Sequence, residues 1–275
     1  MSTQATVSPA YLAWAREQRM RAEIDHHVYV AGAQTDPVTR EQGCLVEYAA
    51  PELLATPAAL AELERQLAAA HPEATALLLR APGDTRLPAP WRPSLSYVRH
   101  TGAAAPAPGP PAGLGIIPAG PEHDALIAGW LARAIADGYG YGPQDVRTGE
   151  LIDAAATDVL HAPGRVSFLL TRDGRPVGHA TVLTEAQDEV TGTEFVDLFD
   201  LLVEESDVVR PGTTALVAAC AALAAERERP LFGNVVHDSA GPDSGARVVA
   251  SLLERGWCLD HRFWRRPRPD EETSA

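Results

Sequence analysis

Apolar positions fall into two spacings along this chain, and the two alternate. Tyr11 to Ile24 shows helical spacing and reads as an amphipathic helix. His27–Val30 and Cys44–Tyr48 read as strands. Thr56 then Pro57 form an N-cap and first helical position, and Leu60, Leu63 and Leu67 mark one face of a helix running to Ala70. Ala76–Leu79 and Leu95–Arg99 are further strands. A second series begins at Leu114. Leu114–Ile117 is a strand, and Pro121 opens a helix to Asp137 with Ile127, Trp130, Leu131 and Ala134 inward. Gly138 to Pro143 breaks that helix, and Thr148–Leu160 forms another. Val166–Thr171, the turn Arg172–Arg175 and Pro176–Thr184 predict a hairpin. Phe195–Val203 is a central strand and Thr213–Glu226 a buried helix. Leu231–Val236, a helix Arg247–Arg255 closed by Gly256, and a strand Cys258–Trp264 complete the series.

Strands interleaved with helices predict an α/β (α+β) fold, a mixed sheet flanked by helices. The run TGAAAPAPGPPAG, residues 101–113, has the composition of a semi-rigid linker. It divides the chain into an N-terminal α/β domain (1–100) and a second domain (114–267), with a charged tail at 268–275.

Composition narrows the function. The chain has 275 residues, 45% of them hydrophobic, enough for a sizeable core. A net charge of −14 opposes binding to the phosphate backbone of a nucleic acid. It suits an amine-bearing partner, or serves solubility alone. All 23 basic residues are arginine, which excludes a Walker lysine and a lysine Schiff base. Cys44, Cys220 and Cys258 are scattered, as in a reducing cytoplasm, and Cys220 falls where a helix would bury it. No apolar leader or long apolar span suggests a membrane. His26 and His27 are adjacent, and in a strand they point to opposite faces, so they make a poor metal pair. His179 and His237 read as core or surface histidines, and no metal set is expected.

The richest stretch runs from Phe195 to Ala215. A strand leads into Arg210-Pro211-Gly212-Thr213-Thr214-Ala215 and then an alanine-rich helix. A turn of small residues before a helix leaves free N–H groups for a phosphate. This order resembles the core of the GNAT N-acetyltransferase superfamily, whose turn R/Q-x-x-G-x-G/A holds the pyrophosphate of acetyl-CoA. Arg210 and Ala215 match it, while Thr213 stands at its first glycine. The hairpin Asp173–Gly178 and the stretch Leu253–Trp257 resemble other parts of the family, so the likeness covers Leu114 to about Arg266. It implies a GNAT-like sheet, with Leu201, Leu202 and Val203 along the pantetheine arm. It also implies Arg210, Pro211, Gly212, Thr213, Thr214 and Ala215 at the pyrophosphate, and acetyl-CoA or another acyl-CoA as co-substrate. The N-terminal half loosely repeats the order and reads equally as a degenerate GNAT half or an unrelated α/β cap. Pro51 and Glu52 stand where its phosphate turn would be.

Acyl transfer to an amine requires removal of the amine proton. Asp197, between Phe195 and Phe199 on one strand face, is the candidate base, since desolvation raises a carboxyl pKa. Alternatively it pairs with an arginine. Asp200, on the other face, is the second carboxylate. The resemblance puts a carbonyl-polarising N–H near Leu202 or Val203. It puts a tyrosine acid where Leu252 stands and an asparagine near Gly245; both are missing, with Ser251 or His237 as substitutes. Tyr139 and Tyr141 are candidates for closing over the acceptor. The leading expectation is an acetyl-CoA-dependent N-acetyltransferase acting on a small molecule or peptide amine. A non-catalytic acyl-CoA-binding accessory protein is the alternative. Aminoacyl transfer from tRNA, a third class, would need a basic face.

Overall fold

The structure, a computed structural model, describes residues 6–102, 113–140, 146–237 and 244–267. Most of the expected linker, Tyr141 and the 268–275 tail lie outside those residues. The chain forms two compact units. The first comprises Met1–Tyr97, Asp188–Thr193 and Leu259–Ala275, and the second Val98–Gln187 and Glu194–Cys258.

In the first unit, α1 (Pro9–Glu17) precedes β1 (Arg21–Ile24), β2 (His27–Thr35) and β3 (Gln42–Ala49). The single helix expected over Tyr11–Ile24 is therefore split. Arg19 sits at φ +60, which ends the helix, and Ile24 is buried beside exposed Glu23 in strand alternation. His26 is not in a strand. Asp25 and His26, at φ +48 and +68, make the two-residue β1–β2 turn.

Next come α2 (Pro51–Ala55), α3 (Pro57–Ala70), β4 (Ala76–Pro82) and β5 (Arg92–His100). Thr56 Oγ1 accepts from the Ala59 N–H at 3.2 Å, the expected cap, and Leu60, Leu63 and Leu67 are buried against the sheet. β3 and β4 are parallel, and β4 pairs antiparallel with the last strand of the chain, β11 (Trp257–Pro267). The strand order is β1-β2-β3-β4-β11-β5.

In the second unit, β6 (Leu114–Pro118) leads through a turn of 3-10 helix, Pro121–His123, into α4 (Asp124–Tyr139) and α5 (Val146–Leu160). The helix passes through Gly138 and Tyr139 and ends at Gly140, at φ +70, so the expected break comes two residues late. β7 (Arg165–Arg172) and β8 (Arg175–Asp188) form the expected hairpin, with Asp173 and Gly174 at φ +50 and +81. Next in the chain are β9 (Thr193–Val203), α6 (Val209–Glu226), β10 (Leu231–Val236) and α7 (Ser244–Leu253). The order is β10-β9-β8-β7-β6, with β9 and β10 parallel. Each unit is a mixed sheet with helices, as an α/β (α+β) chain requires.

Ile127, Trp130 and Leu131 of α4 bury against Leu169. Each such side chain contributes about 1.5–3 kcal/mol of burial. Cys220 is buried in α6, and burial pushes its thiol up to about 12, so it packs as a small apolar group. Among the described residues no helix is long and apolar enough to cross a membrane, and no cluster of three metal-ligating side chains occurs.

Candidate active site

The site begins where two parallel strands stop pairing. β9 and β10 are in register at Val196–Leu231, Asp197–Phe232 and Leu198–Gly233. Beyond Leu198 and Gly233 both strands continue, to Val203 and Val236, without registered partners between them. Ladder pairing between them therefore ends before the strands do, at the carboxyl ends where ligands bind in open α/β sheets.

β9 is held on its other side by close backbone packing. A Cβ at Gly178 would overlap Leu202 O and come within 3.0 Å of Val203 Cα. Only glycine lets β8 approach β9 so closely, and Glu204 N donates to Val177 O at 2.9 Å just beyond.

Two carboxylates on β9 have different surroundings. Asp197 stands opposite Phe232, inside the paired stretch, and Phe232 packs against Phe195 with ring centres 4.9 Å apart and planes tilted by 51°. Its Oδ1 is sealed from solvent with no hydrogen-bond partner. Burial pushes its carboxyl up to about 6. The alternative of an arginine partner is not what the structure places there. Phe199, expected beside Asp197, packs with Leu202 in the cluster around Ile127 and Trp130.

Asp200 lies past the last registered pair. Its Oδ2 is 2.9 Å from Nε2 of His179, a residue of β8 with no solvent exposure. The contact is short but not aligned as a hydrogen bond, and both atoms are sealed from water. Trp130 stacks on the imidazole at 5.0 Å, with 14° between planes.

α6 starts four residues earlier than the expected Thr213. Arg210 to Ala215 therefore form its first turns rather than a separate loop. Pro211 is tolerated there because the first turn needs no N–H from it. Gly212 N already donates to Val208 O at 2.8 Å. Thr214 Oγ1 donates back to Arg210 O at 2.9 Å, and Ala215 is buried. A Cβ at Gly212 would overlap Leu170 Cδ2 and lie 3.4 Å from Val203 Cγ2, so this glycine brings the helix onto the sheet. The helix has no side-chain cap. Its amides without an acceptor among the described residues are those of Val209 and Arg210. Nearby, Glu205 pairs with Arg172 and Arg175, Asp207 with Arg172, and Glu204 with Arg133. Exposed Arg210 has no carboxylate partner among the described residues.

No family model matches the sequence, and none of the curated proteins does. Solved structures do. A GCN5-related N-acetyltransferase from Sphaerobacter thermophilus is 15% identical, with 88% of this chain and 77% of that one covered and a TM-score of 0.50. A GNAT-family acetyltransferase from Colwellia psychrerythraea is 10% identical over 89% of this chain and 83% of that one, TM-score 0.51. The chain has the GNAT fold. The chain is also similar to a functionally unknown conserved protein from Staphylococcus epidermidis, at 9% identity over 89% of this chain and 91% of that one, TM-score 0.51.

β9 and β10 are the pair whose registered pairing stops early, and α6 joins them. Tyr139 ends α4 with its side chain 38% exposed, and a Cβ on neighbouring Gly138 would touch Val236 at 3.8 Å, so this end of α4 lies by the tip of β10. Tyr141 is outside the described residues. His237 is buried under α7, where a Cβ at Gly245 would lie 2.7 Å from its Nδ1. Gly245 is thus needed for packing at the position where the family resemblance implies an asparagine. Ser251 and Leu252 are half-buried on α7. From the sequence, His179 reads as a core or surface histidine. The available signal is alternation: Ser167, His179 and Thr181 are polar residues at buried positions of otherwise apolar strands.

Proposed function

We propose that the second unit transfers an acyl group from acyl-CoA, acetyl-CoA first among them, to an amine of a small molecule or peptide. The observation that carries this reading is the parting of β9 and β10 after Leu198 and Gly233, with a carboxylate on the parted segment. The pantetheine arm lies along Leu201, Leu202 and Val203. The pyrophosphate meets the first turn of α6 from Val209, with the Arg210 guanidinium and the adjoining Pro211–Ala215 surface. A backbone N–H at Leu202 or Val203 polarises the thioester carbonyl. The amine nitrogen forms a bond to the carbonyl carbon, the carbon–sulfur bond breaks, and the amine proton passes to a β9 carboxylate, Asp197 or Asp200. The CoA thiolate leaves unassisted or with a proton from Ser251 or His237, and Tyr139 and Tyr141 border the acceptor. The acidic composition favours a cationic acceptor.

A second reading, a non-catalytic acyl-CoA-binding protein, is favoured by Leu252, which has no hydroxyl to protonate the thiolate. Titration calorimetry with acetyl-CoA, followed by assay of free CoA thiol over a panel of primary amines, tests both. Binding with thiol release supports the transferase, and binding without release supports the second reading. No binding at millimolar ligand rejects both.

A further inference from the structure

We propose that a relay, Asp124–Arg165–Ser167–Thr181–His179, half-buried at its Asp124–Arg165 end and buried from Ser167 on, holds the Asp200 carboxylate in place as the proton acceptor for the attacking amine. The proposal rests on the transferase reading above for its chemistry, but the relay itself is a statement about geometry.

The relay crosses β7 and β8 under α4. Arg165 NH2 donates to Asp124 Oδ1 at 2.9 Å, and its NH1 donates to Ser167 Oγ at 3.3 Å. Ser167 Oγ and Thr181 Oγ1 are 2.9 Å apart, and Thr181 Oγ1 is 3.1 Å from His179 Nδ1. His179 Nε2 then lies 2.9 Å from Asp200 Oδ2, a close polar contact rather than an aligned hydrogen bond. Ser167, His179 and Thr181 are all buried, so water does not complete these bonds.

The ends of the chain decide its direction. Arginine only donates and an ionised carboxylate only accepts. Arg165 gives a hydrogen to Ser167, so the Ser167 hydroxyl is free to donate to Thr181. Thr181 in turn donates to Nδ1 of His179. That leaves the ring's hydrogen on Nε2, facing Asp200. Every hydroxyl and ring nitrogen then has one role, with the ring hydrogen at Nε2. Trp130 stacked on the ring prevents it from turning over.

Position separates the two carboxylates. Asp197 lies within the closed ladder, opposite Phe232, where no substrate can pass between strands. Asp200 lies past it, on the parted segment. With Oδ2 sealed against His179, the 15% exposure of its side chain belongs to its other atoms. His179 is a positioning residue: it fixes one carboxylate oxygen so that the other meets the amine as the carbon–nitrogen bond forms and the carbon–sulfur bond breaks. The proton moves from nitrogen to Asp200.

The test uses the full chain labelled with nitrogen-15 in histidine, the His179 signals being assigned by their loss in His179→Gln. The expected result is the Nε2–H tautomer at pH 7, lost in Thr181→Val and restored in Thr181→Ser, which returns the hydroxyl. Adding acetyl-CoA shifts the His179 ring signals. With an amine that the wild type acetylates, Asp200→Asn lowers kcat on the order of 10²–10⁴-fold at unchanged acetyl-CoA Kd. Thr181→Val lowers kcat roughly 10–100-fold, and Thr181→Ser recovers most of it. The Nδ1–H tautomer, a tautomer indifferent to Thr181, or a larger kcat loss in Asp197→Asn than in Asp200→Asn overturns the relay. Failure to bind acetyl-CoA by calorimetry would instead sink the transferase reading, leaving the tautomer to judge the relay alone.

Discussion

β3–α3–β4 in the first unit and β9–α6–β10 in the second are built alike: two parallel strands joined through a helix. In both, registered pairing stops before the strands end, at Val46–Leu79 and at Leu198–Gly233. Past those points the two diverge. In the first unit the chain's own side chains occupy the polar positions beyond. Tyr11 Oη donates to Glu47, and Arg80 makes two bonds of 2.7 Å to the Asp188 carboxylate. Thr56 caps α3. In the second unit, α6 has no side-chain cap and Arg210 has no carboxylate partner among the described residues, while Asp197, still inside the ladder, has no hydrogen-bond partner for its Oδ1. The same topology thus yields a closed structural element in one place and an open one in the other. The difference lies in a few side chains, which is where function resides.

Arg80 offers the largest expected break in this contrast. Its pair with Asp188 is only 12% and 16% exposed, and removing one partner strands the other. Arg80→Ala should cost about 3–5 kcal/mol of unfolding free energy in urea titrations, with acetyl-CoA affinity unchanged. A loss under about 1 kcal/mol, the range of an exposed pair, would mean that the first unit does not depend on its own ion pair.

Asp197→Asn should act in the opposite direction. Its carboxyl, pushed up to about 6, is protonated in both folded and unfolded chains below about pH 4, so it carries no penalty there. Between about pH 4 and 6 the unfolded chain releases the proton first, and the native state loses stability as pH rises. Above that range the penalty is full, about 3 kcal/mol at about 1.36 kcal/mol per pKa unit. The asparagine variant should therefore be more stable at about pH 7 and equal to wild type near pH 4. Equal stability at both pH values would show that the carboxylate is solvated.

Gly32 and Gly178 sharpen the contrast. They sit on β2 and β8, the strands beside β3 and β9. A Cβ at Gly32 would meet the flexible end of Met20 at 2.9 Å, whereas at Gly178 it would meet the β9 backbone. Gly178→Ala should cost about 1–3 kcal/mol and weaken acetyl-CoA binding, and Gly32→Ala should cost less, as thermal melts can check. The smallest expected effect is Arg210→Glu, which should weaken acetyl-CoA roughly tenfold by calorimetry while leaving stability near wild type. Gly212 is a poor probe of that contact, because any side chain there collides with Leu170.

Much of the fold is legible from local signals. Thr56-Pro57 marks the start of α3, and Asp173-Gly174 marks a turn that needs positive φ at both positions. Alternation locates most strands. The mismatches share a cause: one local signal can serve two purposes. Gly212 resembles a loop glycine but serves close packing inside a helix, so the pattern starts α6 too late, at Thr213. The apolar residues after Glu17 fit a helical period but belong to β1. His179 escapes notice because a lone histidine on an apolar strand carries no local sign of its partners. Thr181 is two residues away on the same strand, but Ser167 and Asp200 meet this pair only through strand register, which no short stretch of sequence contains.

β11 is the last strand among the described residues yet pairs with β4, from His261–Pro82 to Pro267–Ala76, while the segment Asp188–Thr193 also belongs to the first unit. Neither unit is a continuous stretch of the polypeptide. A gene fragment starting at Gly113 would encode β11 without the strand it zips onto, and the normally buried Trp264 would be left uncovered. Cutting the chain at that boundary separates β4 from β11, and the first unit closes only once both strands have been synthesised.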